Sequence, residues 1–337
     1  SGQKTVRKTQ DQPITQEDFA LALKVFDASA KTFWIYDAAT RQGMTVKLDR
    51  GALCSDWQML RSSKGGYLIE YATKPDYAKR CGEELEQILA HYKQVLPTAK
   101  GIPQCRVKLF DREEDFQYYS LAGSGAAAYW SPGQEEIVAY KFEGDKVKFD
   151  SNEEFALEER NPEEVTFKIL YHEGFHQYMF YSMGRGRMIY VPSWLNEGMG
   201  DYFFGGEWNK TRSKFSIGLN DWRIVTIRKA VKENKHVALD KIIRYEQMQY
   251  YRQASLCYAQ GWSMNYFFLN SPVGKSKGYG QLPQKMLDGL KTSGDWQKAT
   301  DKAFAGVDLK KMEEEWKAFI LSLSLTAQQQ AQVDAVD

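Results

Sequence analysis

What this sequence lacks removes several protein classes. No apolar run reaches the roughly 18 residues that a membrane-spanning helix needs. Lysine and arginine number 45 against 44 aspartates and glutamates, a net charge of +1, so no field stands ready to gather nucleic acid or anionic lipid. Cysteine is scarce: Cys54, Cys81, Cys105 and Cys257 lie far apart and form no CxxC pair. That argues against a cysteine-based metal site and leaves two alternatives, two disulfides in an exported protein or four buried thiols. The start, Ser1-Gly2-Gln3-Lys4, carries no apolar signal segment. Histidine is as rare as cysteine, at four residues. Aromatics are plentiful, with 20 Tyr, 18 Phe and 9 Trp; they fit a packed core, an aromatic-lined groove, or both.

A chain of 337 residues can build one large domain or two ordinary ones. A short helical pattern covers Asp18 to Asp27, and strands are expected at Phe33 to Tyr36 and Met44 to Leu48. The break at Gly65-Gly66 precedes a strand at Tyr67 to Tyr71. Lys74 to Leu96 reads as an amphipathic helix stopped by Pro97, Cys105 to Phe110 as a strand, and Arg112 to Ser120 as a helix. Ala126 to Trp130 and Glu135 to Tyr140 flank Ser131-Pro132-Gly133-Gln134, which fits a hairpin with a type II turn. From about Pro162 to Leu323 the pattern is helical. Strands followed by a run of helices predict an α+β protein, with a small N-terminal mixed sheet and a mainly helical C-terminal half. The expected division is an accessory module over 1–62, a main domain over 63–325 and a flexible, Gln- and Ala-rich tail over 326–337.

The helical half opens with Asn161-Pro162-Glu163-Glu164, a cap, a first-turn proline and two acids at the positive end of the dipole. Val165, Ile169, His172, His176 and Phe180 then fall on one side of the helix, and Gly184 can stop it. Inside lies His172-Glu173-Gly174-Phe175-His176, an HExxH motif. Residues four apart on a helix stand one above the other, so both imidazoles can reach one ion. The Glu beside the first His points to the same side and can take a proton from a water held there. A third protein ligand is still needed. A metzincin would continue with glycine at 179 and histidine at 182, where this chain has Met179 and Ser182. A second helix is expected from Ser193 to Gly205-Gly206, containing Trp194-Leu195-Asn196-Glu197-Gly198-Met199-Gly200-Asp201.

HExxH followed about 20 residues later by Asn-Glu-x-x-x-Asp resembles the gluzincin zinc peptidases of the thermolysin-like clan, which include the leukotriene hydrolase-type aminopeptidases. The Trp-Leu-Asn-Glu-Gly form is similar to uncharacterised bacterial zincin domains of that clan. The resemblance implies a zincin-like fold over about 65–325. It implies one Zn2+ per chain on His172, His176 and Glu197, with Asp201 orienting His172 as carboxylates behind ligand histidines do. It implies hydrolysis of a peptide bond in a peptide or protein substrate by a metal-activated water, with Glu173 as general base, and it points towards an extracytoplasmic location.

In the same resemblance a Tyr or His some 60 to 70 residues after the third ligand holds the oxyanion. Tyr258, in Tyr258-Ala259-Gln260-Gly261, stands there and is expected to be catalytic, with Tyr250 and Tyr251 as alternates. In zincins a strand before the metal helix offers its edge to an extended peptide; the analogous strand here is Glu135 to Tyr140. The Gly-Ala-Met-Glu-Asn motif of the aminopeptidase relatives is absent near Gly123 to Tyr129. Two rival readings are a catalytically inactive zincin-fold binding protein and a zinc hydrolase of a non-peptide substrate.

Overall fold

The computed structural model describes residues 57–98, 101–120, 127–142, 162–184 and 189–334, together with the backbone of six strands outside those ranges. Four of these are β1 (Lys4–Arg7), β2 (Ala22–Asp27), β3 (Thr32–Asp37) and β4 (Gln42–Lys47). They form one sheet in the order β1-β4-β3-β2, with β1 parallel to β4 and the other pairs antiparallel. β3 and β4 fall where the sequence predicts strands. β2 corrects the helical reading of Asp18 to Asp27. Leu23 and Val25 alternate with Ala22 and Lys24 at the two-residue period of a strand, and the stretch pairs with β3 in a register that sets Phe26 opposite Phe33.

The central sheet comprises β5 (Gln58–Arg61), β6 (Tyr67–Ala72), β7 (Cys105–Phe110), β8 (Ala128–Ser131) and β9 (Glu136–Tyr140), in the order β5-β6-β7-β9-β8. β6, β7 and β9 run parallel, and β5 and β8 lie antiparallel on the two edges. β5 stands on the N-terminal side of the expected boundary near residue 62, yet it belongs to this sheet. The parallel β6–β7 step requires a crossover, and α1 (Pro75–Val95) supplies it. α2 (Glu113–Ser120) follows β7. The β8–β9 connection departs from the type II expectation. Its pairing starts at Ser131 opposite Glu136, and the positive φ, +52°, belongs to Glu135, whereas Gly133 does not adopt one. A four-residue loop ending in a left-handed residue closes this hairpin. A separate hairpin, β10 (Lys146–Phe149) with β11 (Glu153–Ala156), precedes the long helix.

That helix, α3 (Pro162–Met183), is buried around most of its circumference because it lies between α1, the β8–β9 side of the sheet and the next helix. Its expected cap, Asn161, lies outside the described residues. Gly184 ends it at φ +97°. The next helix is α4 (Ser193–Phe204), closed at Gly205 as predicted, with Pro192 at the cap position. A short hairpin, β12 (Gly206–Trp208) with β13 (Phe215–Ile217), leads into α5 (Asp221–Lys232), α6 (Leu239–Ile242), α7 (Gln247–Tyr251) and α8 (Ala254–Asn270). α9 (Pro272–Ser276), α10 (Leu282–Ser293), α11 (Trp296–Ala303), α12 (Leu309–Ser322) and α13 (Ala327–Asp334) complete the helical half. The architecture is therefore α+β, a mixed sheet before a mostly helical C-terminal half.

α13 forms within the Gln- and Ala-rich stretch expected as a flexible tail. It docks on α5, burying Val333, with Gln329 donating to Asp221 at 3.0 Å and Lys232 paired to Asp334 at 2.7 Å. Cys81, Cys105 and Cys257 are buried free thiols, which favours the second cysteine alternative; Cys54 lies outside the described residues. Burial pushes the Cys105 and Cys257 thiols up to about 12. Among the described residues no helix is long and apolar enough to cross a membrane.

Candidate metal centre

α3 and α4 pack side by side, and the HExxH side chains meet α4 at this contact. His172 is 2% exposed, and the His172 and His176 rings lie with centroids 4.7 Å apart and planes at 80°. Glu197 reaches between them: its Oε2 is 3.4 Å from Nε2 of His172 and 3.4 Å from Nε2 of His176. Bonds of ~2.0–2.2 Å to a tetrahedral ion separate its ligand atoms by about 3.3–3.6 Å. Glu197 Oε2 thus lies as far from each Nε2 as two ligand atoms of one ion lie from each other. Ligating atoms of His172, Glu173 and His176 all lie within 4.8 Å of one another, a group that could hold a metal ion.

Asp201 stands one turn beyond Glu197, and its Oδ1 lies 3.1 Å from Nδ1 of His172. A proton on Nδ1, donated to Asp201, leaves Nε2 as the lone pair facing Glu197. His176 Nδ1 is buried and has no hydrogen-bond partner among the described residues. Burial opposes charge on His172, His176 and Glu197, but their mutual pairings outweigh it. The imidazoles hold the Glu197 carboxyl well below the usual carboxylate range. Asp201 and Glu197 raise His172, and Glu197 raises His176. A concentrated negative environment around two buried imidazoles is what a divalent cation would neutralise.

Two glycines of the Glu197 segment permit this approach. A Cβ on Gly200 would stand 2.8 Å from the His172 ring, so a bare backbone lets the imidazole lie against α4. A Cβ on Gly198 would stand 2.5 Å from the backbone carbonyl of Gly261 on α8, where the two helices cross. Asn265 fastens that crossing by donating to the carbonyls of Trp194 and Gly261, each at 2.9 Å. On the other flank of α3, Glu84 of α1 is 1% exposed; it accepts from the Tyr171 hydroxyl, from Trp208 Nε1 at 2.8 Å and from Arg212. This tie holds the residue preceding His172.

The imidazoles open on a cleft of about 560 Å3. Its walls include Tyr129 and Trp130 of β8, Glu173, Met179 and Phe180 of α3, residues 189–191, Asn196, and Tyr251 and Tyr258. A smaller cavity of about 190 Å3, lined by Lys168, Tyr171, Trp208 and Arg212 among others, contains neither imidazole. The strand facing the cleft is β8, not the expected Glu135 to Tyr140. β9 is paired on both sides, to β7 and β8, so its backbone groups are used, whereas β8 lies at the edge of this sheet among the described strands.

The three tyrosines are separated by geometry. Tyr250 is wholly buried and does not line the cleft. Tyr258 lines it at 7% exposure, stacked on Tyr251 with centroids 6.1 Å apart. Tyr251, 37% exposed, donates its hydroxyl to Glu197 Oε1 at 2.8 Å and is the phenol next to the ligand group. Burial and the Glu197 carboxylate push that phenol above its ordinary value. Arg223 was not expected from sequence at all. It is 2% exposed, and its Nε donates to Asp201 Oδ2 at 2.7 Å. The one available signal is its phase: Arg223 falls in step with Ile224, Ile227, Ala230 and Val231, the buried stripe of α5.

Fold and site together define an α+β protein with a buried His-Glu-His group, His172, Glu173 and His176, that could hold a metal ion. Residues 167–275 match a family described as "Protein of unknown function (DUF1570)", a span that runs from α3 into α9 and contains the whole candidate centre. No curated protein matches the chain.

Proposed function

We propose that this chain is a zinc-dependent peptidase of gluzincin type, with His172, His176 and Glu197 holding the metal and Glu173 acting as general base. The observation that carries the reading is the 3.4 Å spacing of Glu197 Oε2 from both imidazole Nε2 atoms, at the floor of a cleft that Glu173 also lines. Bound there, zinc would supply Lewis acidity towards a carbonyl oxygen and acidify the attacking water. Glu173, lining the cleft beside the imidazoles, would take a proton from the attacking water and return it to the departing amine. β8, at the edge of the central sheet among the described strands, runs beside the cleft where an extended peptide would lie, and Trp130, Met179 and Phe180 supply apolar contacts there.

Tyr251 is the preferred oxyanion donor, because its hydroxyl already reaches Glu197 and its ring, 37% exposed, lines the cleft. Tyr258 supports it from behind. Tyr251→Phe is expected to retain zinc and lower kcat by about 10²-fold, the usual cost of one oxyanion donor. A larger loss in Tyr258→Phe than in Tyr251→Phe would exchange the two assignments.

The reading is tested by metal analysis of the purified protein and by digestion of a broad peptide mixture, with cleavage sites read by mass spectrometry. One zinc per chain and cleavage abolished by a chelator are expected. Stoichiometric zinc without cleavage of any peptide would refute the peptidase assignment, and absence of bound metal after zinc loading would refute the centre itself.

A further inference from the structure

Arg223 is a guanidinium almost wholly removed from water, and nothing so far gives it a role. Its Nε meets Asp201 Oδ2 at 2.7 Å, while the other oxygen of the same carboxylate faces His172 at 3.1 Å. Its guanidinium carbon also sits 5.0 Å from the ring centre of Tyr258, within cation–π range. Tyr258 in turn stacks on Tyr251, whose hydroxyl holds Glu197. One side chain therefore backs both walls of the candidate centre, the imidazole wall through Asp201 and the phenol wall through Tyr258.

The local sequence explains how it gets there. Asn220 caps α5 by accepting from Trp222 N at 3.0 Å, and its amide donates to the Asp201 carbonyl at 3.1 Å. The first turn of α5 is thereby fixed against α4 at Asp201, and Arg223 is in that turn. Charge gives the same result. Glu173, Glu197 and Asp201 bring three negative charges to a largely buried site. A divalent cation balances two of them, and Arg223 balances the third. Asp201 is 1% exposed, and an unpaired carboxylate there would carry the cost of burial without compensation.

We propose that Arg223 is a positioning residue of the metal centre: it locks Asp201 so that the carboxylate can aim His172 at the ion. This rests on the zinc reading above. The test uses the full chain and reads zinc affinity, by competition with a chromophoric chelator, and the visible spectrum of the cobalt-substituted protein, which reports ligand geometry without turnover. Arg223→Met is expected to weaken zinc binding about 10- to 100-fold, as loss of a group behind a ligand does, and to shift the cobalt bands. Arg223→Lys restores the charge without the directed Nε donor and is expected to recover only part of the affinity.

A double-mutant cycle separates positioning from bulk support. If Arg223 acts through Asp201, Arg223→Met/Asp201→Asn loses no more affinity than Asp201→Asn alone. That double variant also removes both buried charges, so the comparison stands if Arg223→Met alone fails to fold. Additive losses, or a cobalt spectrum and zinc affinity unchanged in Arg223→Met, overturn the proposal while leaving the zinc reading intact. Failure of the unsubstituted protein to bind zinc overturns both.

Discussion

Glu173→Gln is expected to keep one zinc per chain and to lose hydrolysis, with kcat falling about 10²- to 10⁴-fold, the usual contribution of a positioned general base. Glutamine preserves the volume and the hydrogen-bonding reach of the side chain but cannot accept a proton and pass it on. Glu173 is 9% exposed and lines the cleft, so the substitution disturbs neither the packing of α3 nor the imidazoles on either side of it. The measurement pairs zinc stoichiometry with turnover of whichever peptide the wild-type chain cleaves. A variant that binds zinc and turns over at the wild-type rate would remove Glu173 from the base assignment.

Gly198→Ala is expected to be the most damaging single-methyl change near the centre. The added carbon would lie 2.5 Å from both the carbonyl carbon and the oxygen of Gly261 and 2.7 Å from Asn265 Nδ2. The first two are backbone atoms of α8, so relief requires the two helices to separate. Overpacking of a tight core costs about 1–3 kcal/mol and more where backbone must move; we expect the upper end, about 3 kcal/mol. Thermal unfolding should then fall by roughly 6–12 °C for a domain of this size. α4 also carries Glu197 and Asp201, so zinc affinity should fall with it. Calorimetry with and without zinc checks both effects. Unchanged stability in Gly198→Ala would mean that the α4–α8 crossing is looser than its atoms indicate.

The parts of this protein legible in its sequence are those governed by neighbours along the chain. The bounds of α3, α4 and β7 follow from prolines, glycines and three- or four-residue apolar steps, and each agrees with the structure to within a residue or two. His172 and His176 had to share a face, because a helix repeats every 3.6 residues whatever surrounds it. Where a local pattern was ambiguous it misled. Residues 22–27 carry enough apolar positions for either period, and pairing with β3 decides for a strand. Residues 327–334 are poor in apolar side chains, yet one of them, Val333, finds a place against α5.

Sequence alone determined the α+β order of elements and the imidazole pair with its adjacent carboxylate, since both depend on backbone periodicity. Only the tertiary structure decided which tyrosine touches Glu197, which described strand of the central sheet lies beside the cleft, and that a buried guanidinium stands behind Asp201. Tyr251 and Tyr258 are equally good helical residues, and β8 and β9 equally good strands, so nothing local ranks them. Arg223 reads as an ordinary charged residue until α5 is anchored to α4 through Asn220, because whether a charge is paired or solvated depends on which distant carboxylate the packing brings to it.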